Sequence, residues 1–288
     1  MTISAIERTY IEKLKGVFGE NEARSLAWLS ISFVCKVKRP QYLSMKNEEV
    51  TPDDHAALSE ILDKLESGRP LQYILGETDF YGLTFKVNPS VLIPRPETEE
   101  LVDWVLKELK NTRHEHDSLK ILDIGTGSGC IPISIKKHIY SAEVFAVDIS
   151  PQALETARQN SDLNEAPVTL IQDDILNPSQ DILINSQFSL IISNPPYVTF
   201  SEKDQMKANV LEHEPHLALF VPDNDPLVFY RAIANFAHSH LERDGYLFLE
   251  INESLGSQTV ELLQDLGFRN IELRQDLNGK DRMIKAAL

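Results

Sequence analysis

The sequence has few of the features that mark membrane, secreted or metal-binding proteins. It contains 2 cysteines in 288 residues, Cys35 and Cys130, which lie far apart and fit a reducing cytoplasm. No apolar run approaches the roughly 20 residues that a membrane-spanning helix needs. Residues 1–5 lack the basic start and apolar core of a signal peptide. We therefore expect a cytoplasmic protein with no membrane segment.

Positive charge is also scarce. The chain has 28 Lys and Arg against 44 Asp and Glu, a net charge of -16, and its longest basic cluster, residues 36–39, is short. A protein that grips a phosphate backbone usually carries a basic footprint, so we expect no direct nucleic-acid binding. An acidic surface suits a basic partner, although solubility alone explains it better. The histidine pairs His114/His116 and His213/His216 lack the spacing of a zinc site, and we expect no metal.

The most informative segment is Asn194-Pro195-Pro196-Tyr197, which directly follows the apolar run 188–193. The run is typical of a buried parallel strand, and the prolines keep the chain extended past its end, where open α/β sheets bind ligands. The Asn194 side-chain oxygen and the Pro195 carbonyl are acceptors for an NH2 group, and Tyr197 offers a face to a planar group. The segment therefore predicts a site for a planar nitrogen nucleophile.

A glycine-rich loop predicts a nucleoside-containing cofactor. The loop follows an apolar strand, 121–124, and consists of Gly125, Thr126, Gly127, Ser128 and Gly129. Glycines let the backbone turn tightly and approach a ligand, and the helix that begins at Cys130 points its N-terminus at the same ligand. A second strand, 144–147, ends at Asp148, about 20 residues past the loop, which is the spacing of an acid that binds ribose hydroxyls.

The acid before this loop separates one cofactor class from another. The dinucleotide fingerprint requires Gly or Ala at the position that Cys130 occupies. Asp123 would repel a pyrophosphate but suits a cationic group, such as the ammonium of a methionine moiety. Together with Asp148 and the 194–197 segment, the loop resembles the first motif of S-adenosylmethionine (SAM) methyltransferases. We therefore expect SAM as the cofactor.

The organisation of the chain changes near residue 85. Helical apolar spacing dominates before it, and Thr51-Pro52 begins one of these helices. We expect a helical substrate-docking domain over residues 1–75 that has no catalytic group of its own. Residues 76–95 alternate like paired strands and are predicted to form a hairpin linker. Residues 96–288 are predicted to form the catalytic domain.

Short apolar strands alternate with helices after residue 119, which favours a parallel sheet with helices on both faces. The predicted strands are residues 121–124, 144–147, 168–171, 188–193 and 247–251. Helices are predicted from about Thr98 to Leu109 and from Ser150-Pro151 onward. Asn278-Gly279 predicts a hairpin between residues 271–274 and 282–285, and therefore an antiparallel last strand.

Several segments resemble the bacterial HemK/PrmC-type peptide chain release factor glutamine methyltransferases. They are residues 68–76, 80–83, 92–99, 214–219 and 276–282, of which 92–99 is the most specific. The resemblance spans the chain. It implies a Rossmann-like, seven-stranded SAM-dependent methyltransferase sheet joined by a β-hairpin to a small all-helical N-terminal domain. It also implies methyl transfer to the glutamine of the Gly-Gly-Gln motif of release factors.

The residue chemistry and the resemblance together give each candidate a role. The expected SAM-binding residues are Asp123, Gly125, Thr126, Gly127, Ser128, Gly129, Asp148, Asp174, Ile175 and Asn194. The expected substrate-binding residues are Arg95, Asn194, Pro195, Pro196 and Tyr197, of which Asn194, Pro195 and Tyr197 are the expected catalytic residues. Several family members have an aromatic residue where Ile175 stands, so here we expect aliphatic packing on adenine. Arg95 is equally consistent with an exposed arginine of no special role.

Catalysis is expected to depend on alignment. An amide nitrogen is a poor nucleophile but a sulfonium methyl group is a strong electrophile, so orientation matters more than a base. Two alternatives stay open. An adenine-N6 nucleic-acid methyltransferase would share residues 194–197 but should carry a basic groove. A non-catalytic SAM-binding or translation-factor-binding module would not need the complete set of acids, glycines and Asn194. We expect a monomer that acts on release factors.

Overall fold

Two compact units make up the part of the chain that the computed structural model describes, which is residues 1–112, 119–179 and 181–288. The helical unit comprises Met1–Gly76 and Lys207–His213, and the sheet unit comprises Glu77–Met206 and Glu214–Leu288. His114 and His116 lie outside the described residues. The domain limits 1–75, 76–95 and 96–288 stay predictions.

The helices and strands are numbered in chain order. The helices are α1 (Ile3–Phe18), α2 (Glu20–Cys35), α3 (Arg39–Ser44), α4 (Pro52–Glu66), α5 (Leu71–Leu75), α6 (Pro96–Thr112), α7 (Cys130–His138), α8 (Pro151–Leu163), α9 (Asp181–Ile184), α10 (Ala208–His213), α11 (Val228–His240) and α12 (Gly256–Asp265). The strands are β1 (Glu77–Phe80), β2 (Leu83–Lys86), β3 (Lys120–Ile124), β4 (Glu143–Asp148), β5 (Thr169–Gln172), β6 (Phe188–Ser193), β7 (Val198–Thr199), β8 (Phe220–Val221), β9 (Leu241–Glu250), β10 (Arg269–Gln275) and β11 (Asp281–Ala287). None of the described helices combines the length and apolarity that crossing a membrane requires.

The helical unit buries one apolar face from each of α1, α2 and α4. Helix α4 begins as predicted, because the Thr51 hydroxyl accepts a hydrogen bond from the Asp54 N–H at 3.1 Å and Pro52 is its first residue. The core contains Tyr10, whose hydroxyl donates to the Leu58 carbonyl at 2.6 Å. This bond satisfies a polar group that would otherwise be costly to bury.

The sheet unit is built on seven strands in the order β10-β11-β9-β6-β3-β4-β5. Strands β9, β6, β3, β4 and β5 run parallel, and β11 is antiparallel to both of its neighbours. The predicted methyltransferase-type sheet and its antiparallel last strand are therefore confirmed. The order reverses between β3 and β6, since β4 and β5 extend the sheet on one side of β3 and β6 and β9 on the other. Such a switch point is where open α/β sheets bind ligands.

Alternate side chains of the central strands enter two separate cores. On β3, Leu122 and Ile124 pack in one core with residues of α11 and α12, whereas Ile121 packs in the other with residues of α6 and α7. This is the pattern of a strand that is covered by helices on both faces. The sheet is thereby held rigid at the edge where the loops leave it.

Helix α6 and strand β9 begin earlier than the sequence predicts. Helix α6 begins at Pro96 rather than near Thr98, because proline fits the first helical position, where its missing N–H costs nothing. Strand β9 begins at Leu241 rather than Leu247. The hairpin β1–β2 turns at Tyr81 and Gly82, both with positive φ (49° and 75°), as two-residue hairpin turns require.

The hairpin expected to link the domains is part of the sheet unit. The buried Asn160 side chain on α8 accepts from the Lys86 N–H at 2.6 Å and donates to the Lys86 carbonyl at 3.0 Å. The Tyr81 N–H donates to the Glu99 carboxylate at 2.7 Å. Because the turn of the hairpin is bonded to α6 and its second strand is bonded to α8, the hairpin is held against the helices of the sheet unit.

Candidate active site

A cavity of about 360 Å³ opens at the switch point of the sheet. It lies where β3, β4, β5 and β6 end, and its size is within the range of small-molecule sites. All of its lining residues belong to the sheet unit. They include the predicted residues Arg95, Gly125, Thr126, Gly127, Ser128, Asp148, Asp174, Ile175, Asn194, Pro195 and Pro196. Asp123, Gly129 and Tyr197 lie close by in the sequence but do not line it.

The glycine loop has a backbone that only glycine adopts easily. Gly127 and Gly129 have φ of 54° and 79°. A Cβ atom on Gly129 would lie 2.8 Å from Ile133 Cδ1 and 3.1 Å from Ala157 Cβ, so a side chain there would collide with α7 and α8. The loop is tied to β4 at its start, where the Gly125 and Thr126 N–H groups donate to the Val147 carbonyl at 2.9 and 3.0 Å.

Asp148 at the end of β4 holds the loop from the other side. Its Oδ2 accepts from the Gly127 N–H at 2.8 Å, and its Oδ1 accepts from the Ser150 N–H at 2.9 Å. Burial raises the pKa of Asp148, and these two backbone bonds oppose the rise. Each oxygen keeps further lone pairs on the cavity wall, where they can accept bonds from hydroxyl groups.

Asp123 at the end of β3 is the least satisfied polar group of this region. Its side chain is 0 % exposed, and neither carboxylate oxygen has a hydrogen-bond partner among the described residues. Burial raises the pKa of Asp123 to about 7, the neighbouring Thr126 hydroxyl opposes part of the rise, and the nearby Asp148 charge adds to it. The neighbouring Thr126 hydroxyl oxygen is likewise buried without a bond to the described residues. Such groups in a native fold call for a missing partner.

The end of β5 contributes Asp174 and Ile175 to the cavity. Asp174 Oδ1 accepts from the Leu176 N–H at 2.9 Å, which folds the loop on itself. Sequence analysis did not single out the preceding Asp173, which is buried and accepts from the Ser179 N–H at 2.9 Å. Asp173 therefore shapes this loop, and it lines the cavity together with Asp174 and Ile175.

The segment after β6 presents acceptors to the cavity. Asn194 Nδ2 donates to the Thr98 hydroxyl at 3.2 Å, and Asn194 Oδ1 accepts no bond from the described residues. The Pro195 carbonyl likewise accepts none from them. Asn194, Pro195 and Pro196 all line the cavity. The segment thus offers two unused acceptors at the place where the sequence predicted an NH2 group to bind.

The Tyr197 side chain is bonded to a buried acid. Its hydroxyl donates to Glu250 Oε1 at 3.2 Å, and burial raises its pKa. Glu250, at the end of β9, is 1 % exposed and also accepts from the Thr98 hydroxyl at 2.7 Å. Burial raises the pKa of Glu250 as well. Packing of Tyr197 on the substrate amide stays a prediction.

Sequence analysis missed Glu250, although a signal was present. It lies at the carboxyl end of a predicted strand, the same place in a strand that Asp123 and Asp148 occupy. The register of the sheet aligns Ile124, Ser193 and Leu249. Glu250 is therefore level with Asn194, the residue that follows Ser193, but only the strand order reveals this.

Arg95 joins two segments of the cavity wall. Its guanidinium forms an ion pair with Glu214, whose side chain is 1 % exposed. The other Glu214 oxygen accepts from the Ile93 N–H at 3.2 Å. Sequence analysis did not identify Glu214 as a site residue. Its buried carboxylate holds residues 93–95 against the segment that contains Pro215 and Leu217, which also line the cavity.

The residues present fit SAM. The buried and unpartnered Asp123 carboxylate suits a cationic ligand group, and the Asp148 oxygens suit ribose hydroxyls. The glycine loop, whose glycines have positive φ, allows the backbone to approach a ligand closely, and Ile175 offers an apolar surface. None of these features requires a metal.

Comparison with known proteins identifies relatives over the whole chain. The model of the methyltransferase small domain matches residues 101–217, and that of the PrmC N-terminal domain matches residues 10–76. A release factor glutamine methyltransferase of Flavobacterium psychrophilum is 46% identical over 286 residues, 99% of each chain. One of Bacteroides thetaiotaomicron is 40% identical over 275 residues, 96% of each chain.

Solved structures of more distant proteins share the fold. The hMettl16 catalytic domain in complex with an RNA hairpin matches 77% of this chain and 81% of its own, with a TM-score of 0.56 and 15% identity. A T. thermophilus 16S rRNA methyltransferase in complex with SAM and guanosine matches 73% of this chain and 49% of its own, with a TM-score of 0.52 and 16% identity. At these identities the likeness extends to the fold alone.

Proposed function

The chain belongs to the release factor glutamine methyltransferase family, and from that membership we propose that it is a SAM-dependent enzyme that methylates release factors. The transferred methyl group goes to the side-chain amide nitrogen of the glutamine in the Gly-Gly-Gln motif. The observation that carries this proposal within the site is the free Asn194 Oδ1 acceptor on the cavity wall. An acceptor there suits an amide NH2 group and does not suit a carboxylate.

The chain's own residues contribute alignment and electrostatics. SAM, when bound, supplies a methyl group on a sulfonium, which is a strong electrophile. Asn194 Oδ1 and the Pro195 carbonyl accept the two N–H bonds of the substrate amide and orient its nitrogen. The same two acceptors stabilise positive charge as it develops on that nitrogen. No residue has to remove a proton before attack, because the methylated amide can release it afterwards.

The cofactor is assigned to the remaining wall of the cavity. Asp148 would accept from the ribose hydroxyls, and Asp123, which is buried next to the cavity-lining Ile124, would supply negative charge for the ammonium of the methionine moiety. Asp174 and Ile175 hold the adenine, while residues 125–129 pass close to the cofactor through their backbone. Arg95 borders the same cavity, and its ion pair with Glu214 gives it a positioning role for the wall.

Transfer of tritium from labelled SAM to purified release factor tests the proposal. The enzyme should label the factor and should fail to label a factor whose motif glutamine is replaced by alanine. Nucleic acid is run as a parallel substrate, since an adenine-N6 methyltransferase would label that instead. A net charge of -16 argues against a nucleic-acid substrate. Labelling of nucleic acid alone would overturn the proposal.

The helical unit is proposed to dock the body of the release factor. It supplies no residue to the cavity, so its contribution to catalysis would come through binding. Leu29 and Phe33, four positions apart on the same face of α2, are 44% and 42% exposed. Exposed apolar side chains that are neighbours on a helix suit a protein contact. We also propose that the protein acts as a monomer in the cytoplasm, where its free cysteines Cys35 and Cys130 are compatible with reducing conditions.

A paired measurement on two substrates tests the docking role. Replacing Leu29 and Phe33 together by serine should lower kcat/KM on intact factor about tenfold, as expected for a lost interface contact. The same variant should methylate a short peptide carrying the glutamine as fast as wild type does. Leu163→Ser is the matched control, because Leu163 is 49% exposed on α8 of the sheet unit. Equal activity of the double variant on intact factor would rule out this docking surface.

A further inference from the structure

A chain of buried hydrogen bonds leads from the end of β9 to the substrate-facing amide. Glu250 Oε2 accepts from the Thr98 hydroxyl at 2.7 Å, and the Thr98 oxygen accepts from Asn194 Nδ2 at 3.2 Å. Thr98 is 2% exposed and Glu250 is 1% exposed. Thr98 borders the cavity, whereas Glu250 does not line it, and the near-complete burial of both side chains leaves little access for water that could substitute for either partner.

The direction of each bond in this chain is fixed by chemistry. An ionised carboxylate only accepts, so the single hydroxyl proton of Thr98 is committed to Glu250. The Thr98 oxygen can then only accept, and the group it accepts from must be an N–H. This requirement selects the orientation of the Asn194 amide in which Nδ2 points to Thr98 and Oδ1 remains for the cavity.

We propose that Thr98 and Glu250 are positioning residues that fix the orientation of the Asn194 amide and thereby make the enzyme select an NH2 group over a carboxylate oxygen. The inference rests on the proposed function, since it concerns the same substrate amide. With the Asn194 amide rotated by half a turn, its NH2 group would face the cavity and suit a carboxylate. Asn194 Oδ1 and Thr98 Oγ1, both acceptors, would then face each other. Thr98 could avoid this only by turning its hydroxyl proton away from Glu250 and toward Asn194.

Glu250 also holds the far end of the segment 194–197. Its second oxygen, Oε1, accepts from the Tyr197 hydroxyl at 3.2 Å, so one carboxylate holds both Asn194, through Thr98, and Tyr197. The two hydroxyl bonds and the Arg282 charge on β11 favour ionised Glu250, whereas burial and the Glu97 charge on α6 disfavour it. Two donors on the two oxygens are what an ionised carboxylate accommodates.

Substitution of Thr98 by valine and by serine separates the hydroxyl from the shape of the side chain. Thr98→Val keeps the shape and removes the hydroxyl, and Thr98→Ser keeps the hydroxyl. In single-turnover transfer to intact factor at saturating SAM, T98V should be slower by about tenfold or more, because a reacting group loses its alignment. T98S should stay within about threefold of wild type, and calorimetry should give both variants a SAM Kd within about threefold of wild type.

A competition assay reads the selectivity directly. Peptides that carry glutamine or glutamate at the motif position compete for the enzyme, and wild type should prefer the glutamine peptide strongly. T98V should lose about tenfold or more of that preference, because a freely rotating Asn194 amide can donate to a carboxylate. A residue that merely supports the fold would weaken binding of both peptides alike.

Glu250→Gln provides a second variant of nearly unchanged shape, for use if T98V does not fold. Its amide can donate to Thr98 and reverse the chain, so its transfer rate and its selectivity should fall in the same direction as those of T98V. A T98V or E250Q enzyme with wild-type rate and selectivity would overturn the inference, and so would T98S as impaired as T98V. Failure of wild type to label the factor at all would instead overturn the proposed function.

Discussion

Two buried carboxylates, near the carboxyl ends of β3 and β9 on either side of β6, have opposite surroundings. Asp123, the residue before the last of β3, has 0% exposure and no hydrogen-bond partner for either oxygen among the described residues. Glu250 ends β9 with 1% exposure and a hydroxyl donor on each oxygen. Burial raises the pKa of both groups. The difference in partners, and not the burial, therefore separates what the two acids do.

An unpartnered buried acid and a partnered one contribute differently to an active site. Leaving a buried carboxylate without a donor costs free energy that a ligand can recover. A carboxylate whose oxygens already accept hydrogen bonds gains no such free energy from a ligand, and instead it holds its donor side chains in place. We accordingly assign Asp123 to ligand binding and Glu250 to the positioning of residues 194–197.

The largest effect is expected at Asn194, which is linked to Glu250 through Thr98 and lines the cavity. Asn194→Ala should slow single-turnover methyl transfer by about a hundredfold, since it removes an acceptor that acts in the transition state. The midpoint of thermal unfolding should change little, because the Asn194 side chain makes only one bond to the described residues. A transfer rate within about threefold of wild type, under ~0.7 kcal/mol, would contradict the amide-clamp mechanism.

Replacement of Asp148 tests whether an acid at a strand end binds the ligand. Asp148→Ala should weaken SAM binding by roughly 1.5–3 kcal/mol, the cost of losing charged hydrogen bonds to ribose. Isothermal calorimetry measures this directly. Asp162→Ala on α8 is a suitable control, because Asp162 is an exposed acid that only pairs with Arg158. Unchanged SAM affinity in the Asp148 variant would remove Asp148 from the cofactor site.

Asp123 should make the free energy of unfolding depend on pH, and bound SAM should remove that dependence. Its folded pKa of about 7 lies above an unfolded value of about 3.9, so the folded state holds the extra proton between these values. The contribution to the free energy of unfolding is complete below pH ~4 and is lost as pH rises to about 7, by roughly 4 kcal/mol at about 1.36 kcal/mol per pKa unit.

Denaturation at a series of pH values checks this expectation. Asp123→Asn should flatten the pH dependence over this window, since its side chain does not titrate. Saturating SAM should also flatten it in wild type, because a cationic group beside Asp123 favours the ionised form. If the slope of wild type persists unchanged with SAM bound, the ligand cation does not contact Asp123.

The sequence predicted the parts of this site that local patterns determine. The strand 188–193 agrees with β6 at both ends, and Ser150-Pro151 and Thr51-Pro52 begin helices as expected. These features depend on caps, prolines and apolar runs within a few residues of one another. The placement of residues 125–129 and 194–197 around one cavity also follows from strand ends that meet at one edge of a parallel sheet.

Most of the contacts that sequence reasoning missed cross the fold. Thr98, Asn194 and Glu250 come from α6, the loop after β6 and the end of β9, and only the strand order and register bring them together. The ion pair of Arg95 and Glu214 likewise joins distant segments. The Tyr197 hydroxyl also bonds across the fold to the buried Glu250 carboxylate, a contact that is separate from the predicted packing of its ring on the substrate. Hydrogen-bond partners of this kind have no local signature.

The smallest expected effect distinguishes the ring of Tyr197 from its hydroxyl. Tyr197→Phe keeps the ring but leaves Glu250 with one hydroxyl donor. Glu250 then lies between its present state, with two donors, and that of Asp123, which has no hydrogen-bond partner among the described residues. Losing one such bond is worth about 1 kcal/mol, so the single-turnover rate should fall about three- to fivefold, with SAM affinity unchanged. Tyr197→Leu, which removes both features, should be slower still if the ring also contacts the substrate. Activity of Tyr197→Phe equal to wild type, with Tyr197→Leu impaired, would assign Tyr197 to substrate packing and leave Glu250 acting through Thr98 alone.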